Sequence, residues 1–334
     1  MHKVFLSHMN ETHLITHSSR MADVVNANPA VLSVLDRLGI RLGFHEATVE
    51  DICNRYGLST HLFLDVCNIY CNKHYEPRSG QLSGQDISKI ISYLQTSHKY
   101  YSTKSLPALH HKIHRLLAGG NESNAAIINK FYDDYLEEIN RHFRFEEEVV
   151  FPGVKNLLAE HGSPSQTENF STGTFEENHS NIEDKLSDLK NTILKYLPDD
   201  YPQSLRMEIL KEIYAIAEDL DKHTRIEDKL LVPAITGLIG NGPAEEGLKE
   251  TQPQEEAAEE EDEQNHGPLS EREKEIVAEV AKGLTNKEIA DRLHLSIHTV
   301  TTHRKNISHK TGINSISGIT VYAIINHLVD INDL

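Results

Sequence analysis

The chain writes one phrase twice, HFRFEEEVVFP at residues 142–152 and HTRIEDKLLVP at 223–233. Each is a His, three residues, a Glu, then apolar residues and a proline six places after the Glu. A His and a Glu four residues apart share one face of a helix. Imidazole plus carboxylate is a donor set for iron, manganese or zinc, and ligand type alone does not choose among them. In a chain with 21 His a single HxxxE carries little weight, and His179 with Glu183 makes another. The spacing carries more. His98 precedes His142 by 44 residues, and His179 precedes His223 by 44. That is an internal repeat of a helix pair.

The repeat asks for helices, and the periodicity supplies them. Residues 86–101 place Ile87, Ile90, Ile91, Leu94, His98 and Tyr101 on one stripe. Equivalent stripes run through 125–150, 175–197 and 204–231. A stretch at 106–118 continues the first helix through a kink at Pro107. The expected architecture is an antiparallel four-helix bundle. His98 and His179 are placed near the starts of their helices and the HxxxE pairs near the ends. In an up-down-up-down bundle these positions share one level, where His98, His142, Glu146, His179, His223 and Glu227 converge. Two buried carboxylates need cations. Two divalent metals, bridged by Glu146 and Glu227 and each capped by two His, answer every charge. His110, His111 and His114 are read as surface residues or residues behind the ligands, because His114 lies about 24 Å along a straight helix from His98.

Composition sets the frame. The chain has 334 residues, a formal net charge of −18, no Trp, and three Cys at 53, 67 and 71. Three Cys without a CxxC pair give no disulfide framework; Cys67 and Cys71 share a helix face and are read as core. The start lacks a signal-peptide core, and no run approaches the ~20 apolar residues of a membrane span. A cytoplasmic protein is expected. Residues 244–266 hold ten acids against one Lys, a self-repelling composition that buries no core. The expected division is a small helical segment at 1–80, the bundle at 81–240, an acidic linker at 241–267 and a separate domain at 268–334.

That last domain carries its own signals. Ser270 with Glu273, and Thr285 with Glu288, form capping boxes opening two helices. A helix over about 285–293, a tight turn at His294–Ser296, and a longer helix from His298 to about Lys310 give helix-turn-helix spacing. Ile289, Ala290, Leu293, Leu295, Val300 and Ile307 supply the core. No acid occurs between Asp291 and Asp330, where Arg292, Arg304, Lys305 and Lys310 fall. An acid-free basic stretch on an acidic chain suits phosphate contact.

Both regions resemble known families. HxxxE followed by an acidic residue, apolar residues and Pro resembles the hemerythrin-like domain, and within it the di-iron iron–sulfur-cluster repair proteins, over about residues 86–235. The resemblance implies two iron ions bridged by Glu146 and Glu227. Glu183 stands where oxygen carriers have the second His of an HxxxH pair, so redox or nitric oxide chemistry is implied over reversible oxygen carriage. Residues 20–75 are similar to the short N-terminal domain of those repair proteins, but Arg41 and Leu42 follow Gly39–Ile40 where that family has adjacent cysteines. "LTNKEIADRLHLSIHTVTTHRKNISHKTGI" resembles the DNA-binding domain of LuxR-type regulators over about 268–330. That resemblance implies Thr299, Val300 and His303 on the groove-facing side, Lys287, Arg304 and Lys305 on phosphates, and a fourth helix serving as dimer contact. The expectation is an all-α transcriptional regulator, dimeric on double-stranded DNA, whose di-iron bundle senses oxygen, nitric oxide or redox state. The alternative is a repair or nitric oxide–scavenging protein with an attached DNA-binding domain.

Overall fold

The computed structural model describes residues 14–77, 82–159, 172–240 and 267–331. Among them there are helices and no strands; one isolated bridge joins Arg20 and Thr48. No helix of the described residues is long and apolar enough to cross a membrane. The acidic segment at 241–266 lies outside the described residues.

Four short helices come first: α1 (Met21–Ala27), α2 (Val31–Arg37), α3 (Val49–Tyr56) and α4 (Thr60–Cys71). Thr48 and Asp51 form a capping box that opens α3. Gly57, at φ 62°, ends it in the left-handed conformation that glycine adopts without strain. Val31, Val34, Leu35, Ile52, Phe63 and Ile69 are buried between these helices and their neighbours.

Four long helical runs follow. The first is α5 (Gly84–Tyr100), a π segment π1 (Tyr101–Ser105) and α6 (Leu106–Leu117). The second is α7 (Glu122–Phe145), π2 (Glu146–Val150) and α8 (Phe151–Ala159). The third is α9 (Thr172–Asn191) with π3 (Thr192–Tyr196). The fourth is α10 (Gln203–Ile226), π4 (Glu227–Leu231) and α11 (Val232–Gly240). Each π segment begins six residues before a proline: Pro107, Pro152, Pro198 and Pro233. Proline lacks an N–H and its ring crowds the carbonyl four residues back. The wider turn meets both demands. The residue before the proline reaches back five places instead, as Phe151 N–H does to the Glu146 carbonyl and Val232 N–H to that of Glu227. The expected kink at Pro107 is therefore a π turn in a run that continues to Leu117. This also corrects the register of His98. A Ser83–Asp86 capping box starts α5 well upstream, so His98 sits near the C-terminal end of α5.

The C-terminal domain is α12 (Glu271–Ala281), α13 (Asn286–Leu293), α14 (Ile297–Thr311) and α15 (Ile316–Ile325). Both predicted capping boxes are present, and Ser296 caps α14. His294, at φ 54°, makes the turn between α13 and α14. Ile276, Val277, Ile289, Val300, Ile307, Ile313 and Ala323 form the core.

Candidate metal centre and candidate nucleic-acid interface

His98, Glu146, His223 and Glu227 are all buried, and each offers a donor atom within 4.8 Å of the others. His98 Nε2 lies 3.1 Å from Glu146 Oε2 and 3.2 Å from His223 Nε2. His223 Nε2 lies 3.1 Å from Glu227 Oε1. Both carboxylates are 0 % exposed. Each glutamate is the first residue of a π segment, and such widened turns recur at functional sites.

The surroundings fix the ligand-bearing rings. His98 Nδ1 is 3.0 Å from Glu147 Oε1, and Gln95 Nε2 donates to Glu147 Oε2 at 2.6 Å. An Nδ1–H given to Glu147 would leave Nε2 facing the cluster as the metal-donor atom. Phe151 stacks on His98 at 5.7 Å and 14°. The Tyr101 ring meets His223 edge-on at 5.8 Å, while its hydroxyl donates to Asp219 Oδ2 at 2.7 Å. Asp219 is paired with Arg37 of α2, whose guanidinium also reaches the hydroxyls of Tyr70, Tyr93 and Tyr101. The N-terminal helices are thus bolted to α10 one turn before His223.

The cluster draws positive charge. Burial pulls His98 towards neutrality, yet Glu146 and Glu147 outweigh it and its pKa is raised to about 9. Burial prevails at His223, whose pKa is lowered despite Glu227. A divalent ion answers the same demand. Bonds of about 2.0–2.2 Å to imidazole nitrogen and carboxylate oxygen span about 4.2 Å across an ion, so small side-chain shifts would close this donor set. The residues fit a metal.

His142 is buried one turn before Glu146 on the same helical run and is not among the four residues brought together. His179 lies in α9, and its side chain is outside the described residues. His110 is half-buried and pairs with Asp133, its ring tilted at 42° against that of His114. Cys53 and Cys67 are buried, and burial pushes the Cys53 thiol up to about 11. Glu147, Phe151, Tyr101 and Asp219 were missed. The EEE run at 146–148 was the available signal for Glu147; nothing local marks Asp219.

On the C-terminal domain, Lys287 and Lys305 are exposed, while Thr299, His303 and Arg304 are half-buried. Arg304 donates to Asn286 Oδ1 at 2.6 Å. Val300 is a correction. It is 0 % exposed within the core, so it cannot face a groove. Lys310 is turned inward against the buried Glu273, 2.9 Å from Oε2, which leaves a smaller basic face than the sequence suggested.

Comparison with known proteins agrees with both halves. Residues 267–323 match the family of bacterial regulatory proteins, luxR family. Residues 101–235 match the hemerythrin HHE cation binding domain, a match that begins just after His98. The transcriptional regulatory protein LiaR of Bacillus subtilis is 45 % identical over 65 residues, 20 % of this chain and 31 % of that protein. The fimbriae Z protein of Escherichia coli is 46 % identical over 61 residues, 18 % of this chain and 29 % of that protein. The oxygen regulatory protein NreC of Staphylococcus aureus is 42 % identical over 62 residues, 19 % of this chain and 29 % of that protein. The chain thus spans under a third of the length of these relatives. No solved structure matches it significantly. A buried cluster of two His and two Glu and a capped helix-turn-helix agree with these matches: the chain joins a hemerythrin HHE cation-binding domain to a regulatory domain of the luxR family.

Proposed function

We propose that this protein is a DNA-binding transcriptional regulator whose metal-loaded bundle reports oxygen, nitric oxide or redox state to the C-terminal domain. The observation that carries the reading is one chain holding both a buried His98–Glu146–His223–Glu227 cluster and a helix-turn-helix whose exposed cations meet no acid between Asp291 and Asp330. The metal is two iron ions. His98, Glu146, His223 and Glu227 would hold them, and His142 and His179 would complete the set. Bound iron supplies a reversible one-electron change and an affinity for small diatomic ligands.

The chain's own groups prepare the site. Glu147 and Gln95 hold His98 in the tautomer that presents Nε2. Phe151 and Tyr101 wall the imidazoles with aromatic rings and keep water off them. On the C-terminal domain Lys287, Arg304 and Lys305 contact phosphates, while Thr299 and His303 face the bases. A dimer on a two-fold site about 10 base pairs between half-sites follows from this docking.

The test is DNA binding by the full chain with the centre apo, diferrous and diferric, beside metal analysis. Affinity that changes with metal state supports a sensor. Identical affinity in all three states would leave the bundle as an enzyme or iron store joined to a DNA-binding domain.

A further inference from the structure

The third bundle run does more than close the bundle. Asp188 of α9 is 0 % exposed and is met by the start of α15. Its Oδ1 accepts from Asn314 N–H at 2.8 Å; its Oδ2 accepts from Ser315 N–H at 2.8 Å and from Ser315 Oγ at 2.6 Å. A carboxylate at a helix N-terminus is doubly favoured, by the free N–H groups and by the helix dipole. Around it, Asn191 donates to the Gly312 carbonyl at 2.6 Å, and Tyr196 of π3 donates to the Thr311 carbonyl at 2.7 Å. These bonds take up carbonyls that the end of α14 leaves open.

The fit is close enough to require glycine. A Cβ at Gly318 would lie 2.4 Å from Asp188 Oδ2. Gly318 and Tyr322 are four residues apart and share a face of α15. Asp188 lies against the first, and the ring of Tyr196 meets the second edge-on at 4.8 Å. Val321 and Ile325 continue that stripe and are buried, though they stand outside the domain's own core, which takes Ile319 and Ala323. α15 is therefore apolar on two sides. One side packs on α12, and α9 and π3 pack on the helix as well.

We infer that α9 and π3 form a built seat for the C-terminal domain, closed by Asp188, that covers the second apolar face of α15. The bundle and the helix-turn-helix are then coupled through this seat. The covered face is also the one that would pair with a second copy of the chain once the seat opens. Movement of α9, which carries His179 nine residues before Asp188, would thus set how readily the domain self-associates. This last consequence rests on the regulator reading; the seat itself does not.

The test uses the full chain with two variants, Asp188→Ala and the milder pair Asn191→Ala, Tyr196→Ala. The pair spares the buried carboxylate should its loss unfold the bundle. Backbone amide relaxation of residues 267–331 is read alongside mass by sedimentation. In the wild type these amides should tumble with the bundle. In either variant they should relax as a smaller independent body, with the dimer fraction raised about tenfold, within the usual range of coupling. Independent tumbling in the wild type, or unchanged relaxation and mass in both variants, would overturn the seat. Affinity for a pool of random-sequence duplexes is the second readout. A rise of about tenfold on release joins the seat to regulation. A freed domain that ignores DNA in every variant supports the seat and refutes the regulator reading instead.

Discussion

Asp219→Ala removes the carboxylate that faces Arg37 and leaves a guanidinium 7 % exposed among tyrosine hydroxyls. Breaking one side of a buried ion pair costs about 3–5 kcal/mol. Two features place this case near the lower bound. The Asp219 side chain is itself 18 % exposed, and the hydroxyls of Tyr70, Tyr93 and Tyr101 remain as acceptors. About 3 kcal/mol corresponds to a fall in Tm of about 6–12 °C for a body of this size. The expected companion effect is on metal. Tyr101 donates to Asp219 and packs on His223, so metal affinity should fall about tenfold, as when groups behind a ligand are removed. Denaturation followed by tyrosine fluorescence suits a chain without Trp. The double variant Arg37→Met, Asp219→Leu should recover all but about 1 kcal/mol, since apolar replacement of both partners is often neutral. A single-variant cost below about 1 kcal/mol, or a double variant no better than the single, would refute the reasoning.

Other outcomes follow from the same geometry. The pair Glu146→Ala, Glu227→Ala should abolish metal binding, while Cys53, Cys67 and Cys71 changed together to Ser should keep it; metal analysis after dialysis reads both. Lys305→Ala should weaken binding to all duplexes alike and lower the salt slope by about one. Val300→Ala should cost about 2 kcal/mol of stability through core loss, with base preference unchanged in a selection from random duplexes. The carboxyl of Glu273 is pushed up by burial, but Lys310 and Ser270 hold it below its ordinary value. A depressed carboxylate contributes stability above its ordinary pKa of about 4.3 and loses it as pH falls through the lowered value. Acid unfolding of residues 267–331, followed by amide exchange, should therefore shift upward in pH in Lys310→Met.

The chain revealed its chemistry more readily than its geometry. The HxxxE repeat pointed to His142, Glu146, His223 and Glu227 and the 44-residue spacing to His98 and His179, because helical periodicity survives in the residue order; the structure brings His98, Glu146, His223 and Glu227 together. The capping boxes at Ser270 and Thr285 were legible for the same reason: their partners are three residues apart. Asp219 was not legible, since its meaning depends on Arg37, 182 residues away. Asp188 was hidden likewise, a polar residue on a helix whose partners at 314 and 315 lie more than a hundred residues away. Val300 was read both as core and as groove-facing; only burial decides between those.

A π turn is an α turn holding one residue in surplus. In a uniform helix such a surplus can slide along the ladder, but a proline six residues on pins it. Each residue advances an α-helix by about 100°, so deleting one residue within 147–150 or 228–231 would remove the surplus residue that the proline requires and swing everything beyond it by roughly that angle. Glu146 and Glu227 would hold their places while Phe151 and the residues of α11 turned away. The long helices of this chain are therefore intolerant of single-residue insertion or deletion. Length variation, rather than substitution, is where the pinned turns would leave their imprint.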